Sequence, residues 1–237
     1  MVGIKPKEKI NKTWRPEFAY ALGLLATDGN LSPDGRHISL TSKDIDLLKT
    51  FKKCLGIENS IGKNYGGFGN KKTSCNRVQF GDVIFYRWLL ELGLTPNKSK
   101  TIGTLKIPKK FFFDFLRGCF DGDGSINAYW DPRWKSSYMF YLKFYSGSIH
   151  FLQWLQKTIF NLSGVCGNIR FSKNCYDLEF AKTASRTLLR KIYYSDNAPR
   201  LERKYVKVKK IFSTDQNPIR HSDSSIAQVA KVVHAQD

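Results

Sequence analysis

Leu116-Arg117-Gly118-Cys119-Phe120-Asp121-Gly122-Asp123-Gly124 closes an apolar run that begins at Phe111, just after Pro108 and two lysines. Proline near a helix start and glycine just past its end are the usual punctuation. The stretch therefore predicts a helix from Lys109 to Phe120 that stops in an acidic, glycine-rich turn. A carboxylate is disfavoured there, because a helix C-terminus already carries partial negative charge. A cation close to that end would reverse the sign of the effect.

The same arrangement occurs earlier. Ala21-Leu22-Gly23-Leu24-Leu25-Ala26-Thr27-Asp28-Gly29 follows Pro16 and an apolar run, and again ends Asp-Gly. Aligned on those endings, Gly23 matches Gly118, Asp28 matches Asp123 and Gly29 matches Gly124. A glycine inside a helix costs about 1 kcal/mol relative to alanine. Two at matching places predict helix backbones in close contact, which would make the two terminal carboxylates neighbours. Neighbouring carboxylates repel, so one is expected to hold a proton. Divalent cations relieve that conflict, and an oxygen-only site suits Mg²⁺. Two metals flanking a phosphate can generate hydroxide and stabilise the leaving oxygen.

The pair resembles the two motif copies of single-chain LAGLIDADG homing endonucleases. The second copy is close to the consensus, whereas the first departs at Ala26 and Thr27. The resemblance implies a monomeric, site-specific endonuclease that hydrolyses both strands of duplex DNA across the minor groove and leaves short 3′ overhangs. It implies Asp28 and Asp123 as catalytic metal ligands for two or three divalent ions, with Gly29 and Gly124 also among the metal-binding residues. Lys100 and Lys204, each placed after the last helix of its half, are the implied catalytic lysines, basic residues that help polarise the solvent around the scissile phosphate. Ser42 and Ser146 stand at matching strand ends where the family carries water-positioning polar residues. Asp121 has only Ala26 as its counterpart, so it is expected at a helix end or behind the site. An RNA-binding intron maturase, or a non-catalytic DNA-binding regulator, would use the same scaffold.

Composition agrees with a polyanion partner: 39 Lys and Arg stand against 20 Asp and Glu, a net charge of +19 over 237 residues. Five cysteines without CxxC spacing read as free thiols in a reducing compartment, and four scattered histidines offer no zinc spacing. No apolar run approaches a membrane span and no signal-peptide core is visible, so a soluble intracellular protein is expected.

Residues 1–13 read as a basic arm, 14–108 as the first half, 109–212 as the second and 213–237 as a polar tail. In the first half, Ile38 to Ser42 alternates as a strand, and Leu47, Leu48, Phe51 and Leu55 share a helix face that stops at Gly56. Strands are expected near Ile61 to Tyr65 and Val78 to Phe80, then a helix over Val83 to Leu92. The second half repeats the order, with a strand at Tyr138 to Tyr145 and a helix face of Ile149, Leu152, Leu155 and Ile159. A strand at Leu178 to Phe180 and a helix over Ala184 to Tyr194 follow. The expected fold is α+β, two pseudo-symmetric αββαββα halves meeting at the two acidic helices beneath a saddle of antiparallel strands. Alternation turns Ser39, Thr41, Arg77 and Gln79, and in the second half Asn168, Arg170, Ser172 and Glu179, away from the core. Such side chains can pair with base edges in the major groove. Lys63, Lys71, Lys72, Lys135 and Lys173 are placed as phosphate contacts.

Overall fold

A computed structural model describes residues 8–66, 73–134, 136–172 and 174–216. Seven α-helices and two four-stranded antiparallel sheets occupy these residues. The first half runs α1 (Pro16–Thr27), β1 (Gly29–Leu31), β2 (His37–Ser42), α2 (Ile45–Leu55), β3 (Ile61–Gly66), β4 (Thr73–Gly81) and α3 (Val83–Leu92). The second runs α4 (Phe112–Asp123), β5 (Ser125–Trp130), β6 (Tyr138–Ser146), α5 (Ile149–Ser163), β7 (Asn168–Ser172), β8 (Cys175–Phe180) and α6 (Lys182–Ile192). A further helix, α7 (Glu202–Gln216), follows. The strand orders β1-β2-β4-β3 and β5-β6-β8-β7 are identical in pattern.

The halves meet where α1 crosses α4, and the glycines explain why the crossing is so close. A Cβ on Gly23 would land on the carbonyl oxygen of Phe115 and 2.8 Å from the Cys119 nitrogen. One on Gly118 would land on the carbonyl oxygen of Tyr20 and 2.9 Å from the Gly23 Cα. Backbone rests on backbone. Around this axis every residue from Phe18 to Ala26 is buried, as is every residue from Phe112 to Asp121 except Phe113. Aromatic rings flank it on both sides. Phe18, Phe85 and Trp88 interlock in the first half, and Phe112, Phe115 and Trp154 in the second. Helices cover one face of each sheet, with Ile38, Leu40, Val78 and Phe80 turned toward them.

The structure locates the first strand of each half, and two expectations change. The strands that follow the acidic helices, β1 and β5, begin immediately after Asp28 and Gly124, so they lead straight out of the acidic turns. The second acidic helix does not stop at Phe120 but runs through Asp123. Arg203 and Lys204 lie inside α7, whereas the corresponding first-half segment is only a 3₁₀ turn, Lys98–Lys100. No described helix is long and apolar enough to cross a membrane.

Candidate active site and nucleic-acid interface

Close helix crossing delivers the two C-terminal carboxylates to one place. Asp28 and Asp123 lie within side-chain hydrogen-bonding reach of each other, where a proton held between them relieves their repulsion. Asp28 is half-buried and Asp123 reaches solvent. Burial and then the Asp123 charge push the Asp28 carboxyl up to about 7, against the pull of Lys204 and Lys98. The protein mass around Asp123 raises it as well, despite its exposed edge.

The cation that the helix dipole calls for is present twice. Lys98 Nζ donates to the carbonyls of Thr27 at 3.2 Å and Gly29 at 2.6 Å. Lys204 Nζ donates to those of Phe120 (2.6 Å), Asp121 (2.9 Å), Gly122 (3.1 Å) and Gly124 (2.7 Å). Each buried ammonium thus satisfies carbonyls that a helix end leaves without partners. That is why α4 continues past Phe120. Burial pulls Lys204 down to about 8 and lowers Lys98 too.

This geometry reassigns part of the expected site. Lys98, not Lys100, is the structural counterpart of Lys204, and Lys100 points into solvent. The carbonyls of Gly29 and Gly124 face ammonium groups, an unfavourable place for a second cation, so the carboxylates remain the candidate donors. Ser42 and Ser146 each accept the backbone N–H two residues on, at 3.1 Å, and so shape the turns into α2 and α5. Lys204→Met is expected to cost about 3 kcal/mol in urea denaturation, toward the upper end for unpairing buried polar groups. Lys100→Met should stay within about 0.5 kcal/mol.

Asp121 is buried behind the pair. It accepts from Tyr20 Oη (2.8 Å), Tyr193 Oη (2.9 Å) and the Leu201 N–H (2.7 Å), tying α1, α6 and the entry to α7 onto α4. Burial raises it to about 6 despite those donors. The halves are also strapped reciprocally. Arg203 forks onto Asp44 of the first half at 2.8–3.1 Å, while Ser148 of the second donates to the Ile102 carbonyl at 2.5 Å.

Beside the carboxylates, the uncovered faces of the two sheets present polar rows. Register places Ser39 beside Gln79 and Thr41 beside Arg77 on one face, and Asn168 beside Glu179 and Arg170 beside Asp177 on the other. Ser172 shares the second face at its outer end, paired with Cys175. Arg77, Gln79, Asn168, Arg170 and Ser172 are exposed, whereas Ser39 is buried at 6% exposure. Lys63 pairs with Asn76 on the same side as Ile61 and Val78, so it lies on the helix side of the sheet edge. Lys71, Lys72, Lys135 and Lys173 lie outside the described residues.

Oxygen donors from two carboxylates fit a hard divalent cation, and the shared proton marks the charge conflict such a cation would relieve. Among the described residues no group of three or more His, Cys, Asp or Glu side chains is clustered for a metal. Remaining ligands would come from water or substrate oxygens. The proton also links to stability. The folded Asp28 holds it up to about pH 7, whereas an ordinary carboxyl releases it near 3.8. Its contribution is therefore fully present below about pH 4 and is lost as pH rises through about 7. In EDTA, the stability of the parent minus that of Asp28→Asn should fall across that interval and level off above it. A pH-independent difference would contradict the shared proton.

No protein-family model matches the chain, and no curated protein matches it. Solved structures do. The homing endonuclease I-WcaI bound to its DNA recognition sequence superposes with a TM-score of 0.56 at 14% identity, covering 87% of this chain and 95% of that one. I-DmoI in complex with DNA and Ca gives 0.53 at 15%, covering 82% and 97%. Full-length DUF199/WhiA from Thermatoga maritima gives 0.53 at 17%, covering 93% and 73%. At these identities the likeness establishes the LAGLIDADG fold.

Proposed function

We propose that the protein is a divalent-metal-dependent, site-specific DNA endonuclease acting as a monomer. The observation that carries this reading is the Asp28–Asp123 pair, held at the crossing of two helices and flanked by two polar sheet faces. Two carboxyls crowded together at one helix crossing, both raised from their ordinary values, are a standing cost for a protein that only binds. Their retention in matching positions is explained by a role for them. Asp28 and Asp123 would hold Mg²⁺, which when bound supplies a Lewis acid and a low-pKa water at a phosphodiester. The chain's own contribution is positional. The glycine crossing sets the carboxylate separation, Lys98 and Lys204 hold the helix ends, and Asp121 anchors α7 so that Lys204 stays in place. Arg77, Gln79, Thr41 and their second-half counterparts face the groove that the net charge of +19 would draw in. Two of the structural neighbours are themselves complexes with DNA.

A DNA-binding protein that does not cut is the second reading. The inward aim of both lysine ammoniums favours it, because neither extends toward a substrate phosphate. Incubation with a randomised duplex library separates the two. An endonuclease yields sequence-selected breaks in Mg²⁺ and selected but intact duplexes in Ca²⁺. Intact duplexes in both cations would leave the binding reading alone.

A further inference from the structure

The outer faces of the two sheets share a register but not a charge pattern. Superposing the row Leu31–Ile38–Phe80 on Ile126–Leu142–Phe180 makes Ser39 equivalent to Lys143, Gln79 to Glu179, Arg77 to Asp177 and Gly62 to Arg170. At these positions the first face carries a single cation and no carboxylate. The second carries Lys143 and Arg170 interleaved with Asp177 and Glu179. Lys143 Nζ lies 2.6 Å from Glu179 and 3.3 Å from Asp177, and Arg170 lies 3.4 Å from the other Glu179 oxygen. The Lys143 side chain is only 20% exposed, unlike the 62% of Arg170.

We propose that this ion-paired cluster reads base edges rather than phosphates, and that Lys143 is the specificity-determining residue of the second half, selecting a guanine. The inference rests on the DNA-binding reading above. Phosphate contacts are made by cations in a positive field, and two flanking carboxylates remove that field here. The same carboxylates suit a neutral partner: they can accept from cytosine N4, while the ammonium donates to guanine O6 or N7. An ammonium has three N–H donors; two face Glu179 and Asp177, which leaves one for an acceptor in the groove. Fixing the lysine before binding also removes rotamer freedom that a solvated lysine would lose on contact. The position follows from the register. Lys143 pairs with Ser125, two residues beyond Asp123, so the guanine belongs to the inner base pairs of the second half-site.

The test is a binding selection with the full chain in Ca²⁺ on a randomised duplex library, read by sequencing. The parent should select a non-palindromic site with guanine at one inner position of one half. Lys143→Met should weaken that preference about tenfold, the lower part of what one good base contact contributes. It should leave the preferences at the other positions unchanged. Lys143→Arg, which retains the ion pairs, should keep guanine. Glu179→Gln, which loosens the ammonium without removing it, should broaden the same position and provides the readout if Lys143→Met does not fold. A merely structural cluster predicts a lower melting temperature and equal loss at every position, and either that result or an unaltered profile overturns the assignment. A parent that binds duplex without sequence preference overturns the recognition reading with it. A parent with a sharp preference that both variants preserve overturns the Lys143 assignment alone.

Discussion

Asp28→Asn, or equally Asp123→Asn, should abolish strand cleavage while leaving DNA affinity in Ca²⁺ within a few-fold of the parent. Asparagine keeps the shape of the side chain and the fold around it, because neither residue contributes to the glycine crossing. What disappears is one of the paired charges that a divalent ion needs. Loss of a single group that stabilises transition-state charge typically costs 10²–10³-fold. At least about that loss is expected for each variant, on both strands if the pair acts as one centre. Time courses of supercoiled-plasmid nicking and linearisation measure it. Cleavage at the parental rate by either variant would end the catalytic assignment. Full loss in one variant with single-strand nicking in the other would assign the carboxylates to separate strands.

The second large effect is on folding. Gly118→Val places branched carbon on the carbonyl of Tyr20, and Gly23→Val does the same at Phe115. The obstacle is backbone, so a rotamer change cannot relieve it and the two helices must separate. Overpacking ordinarily costs about 1–3 kcal/mol, occasionally more. Prying apart the axis that both halves share belongs at the high end, about 4 kcal/mol or above, a large part of the 5–15 kcal/mol of a typical domain. Urea denaturation of the purified variants reads the loss directly. Alanine already carries the clashing Cβ, and Asp28 and Asp123 depend on the same crossing, so a Gly118→Ala protein that folds should lose cleavage together with part of its stability. A Gly118→Val protein as stable as the parent would show that the axes are not in contact.

Much of this was legible from periodicity and from the duplicated Asp-Gly endings. The paired glycines pointed to a helix contact because a mid-helix glycine has a cost that only close approach explains. The helix faces of α2 and α5, their glycine stops, and the inward set of β2 and β4 follow from apolar spacing, and the structure has them there. Spacing does not locate β1, since the three residues Gly29–Leu31 are too short to show alternation.

The supporting residues were not legible. Lys98 and Lys204 do equivalent work, yet their separation of 106 positions differs from the 95 that relates Asp28 to Asp123, because the halves carry loops of unequal length. Spacing therefore paired Lys204 with Lys100. Lys143 was hidden for another reason: its first-half counterpart is a serine, and only strand pairing shows that two carboxylates from β8 flank it.

Local pattern was enough to determine which segments form helices and strands, that the chain is built twice, and which two carboxylates end the central helices. Those properties depend on neighbours within a turn or a strand, where side-chain type and backbone preference act directly. Tertiary structure alone decided which lysines reach the helix ends, where Asp121 anchors its three donors, and how charge is distributed over the two sheet faces. Such contacts join residues 34 to 101 positions apart, and their pairing depends on loop lengths and register that no short-range preference encodes.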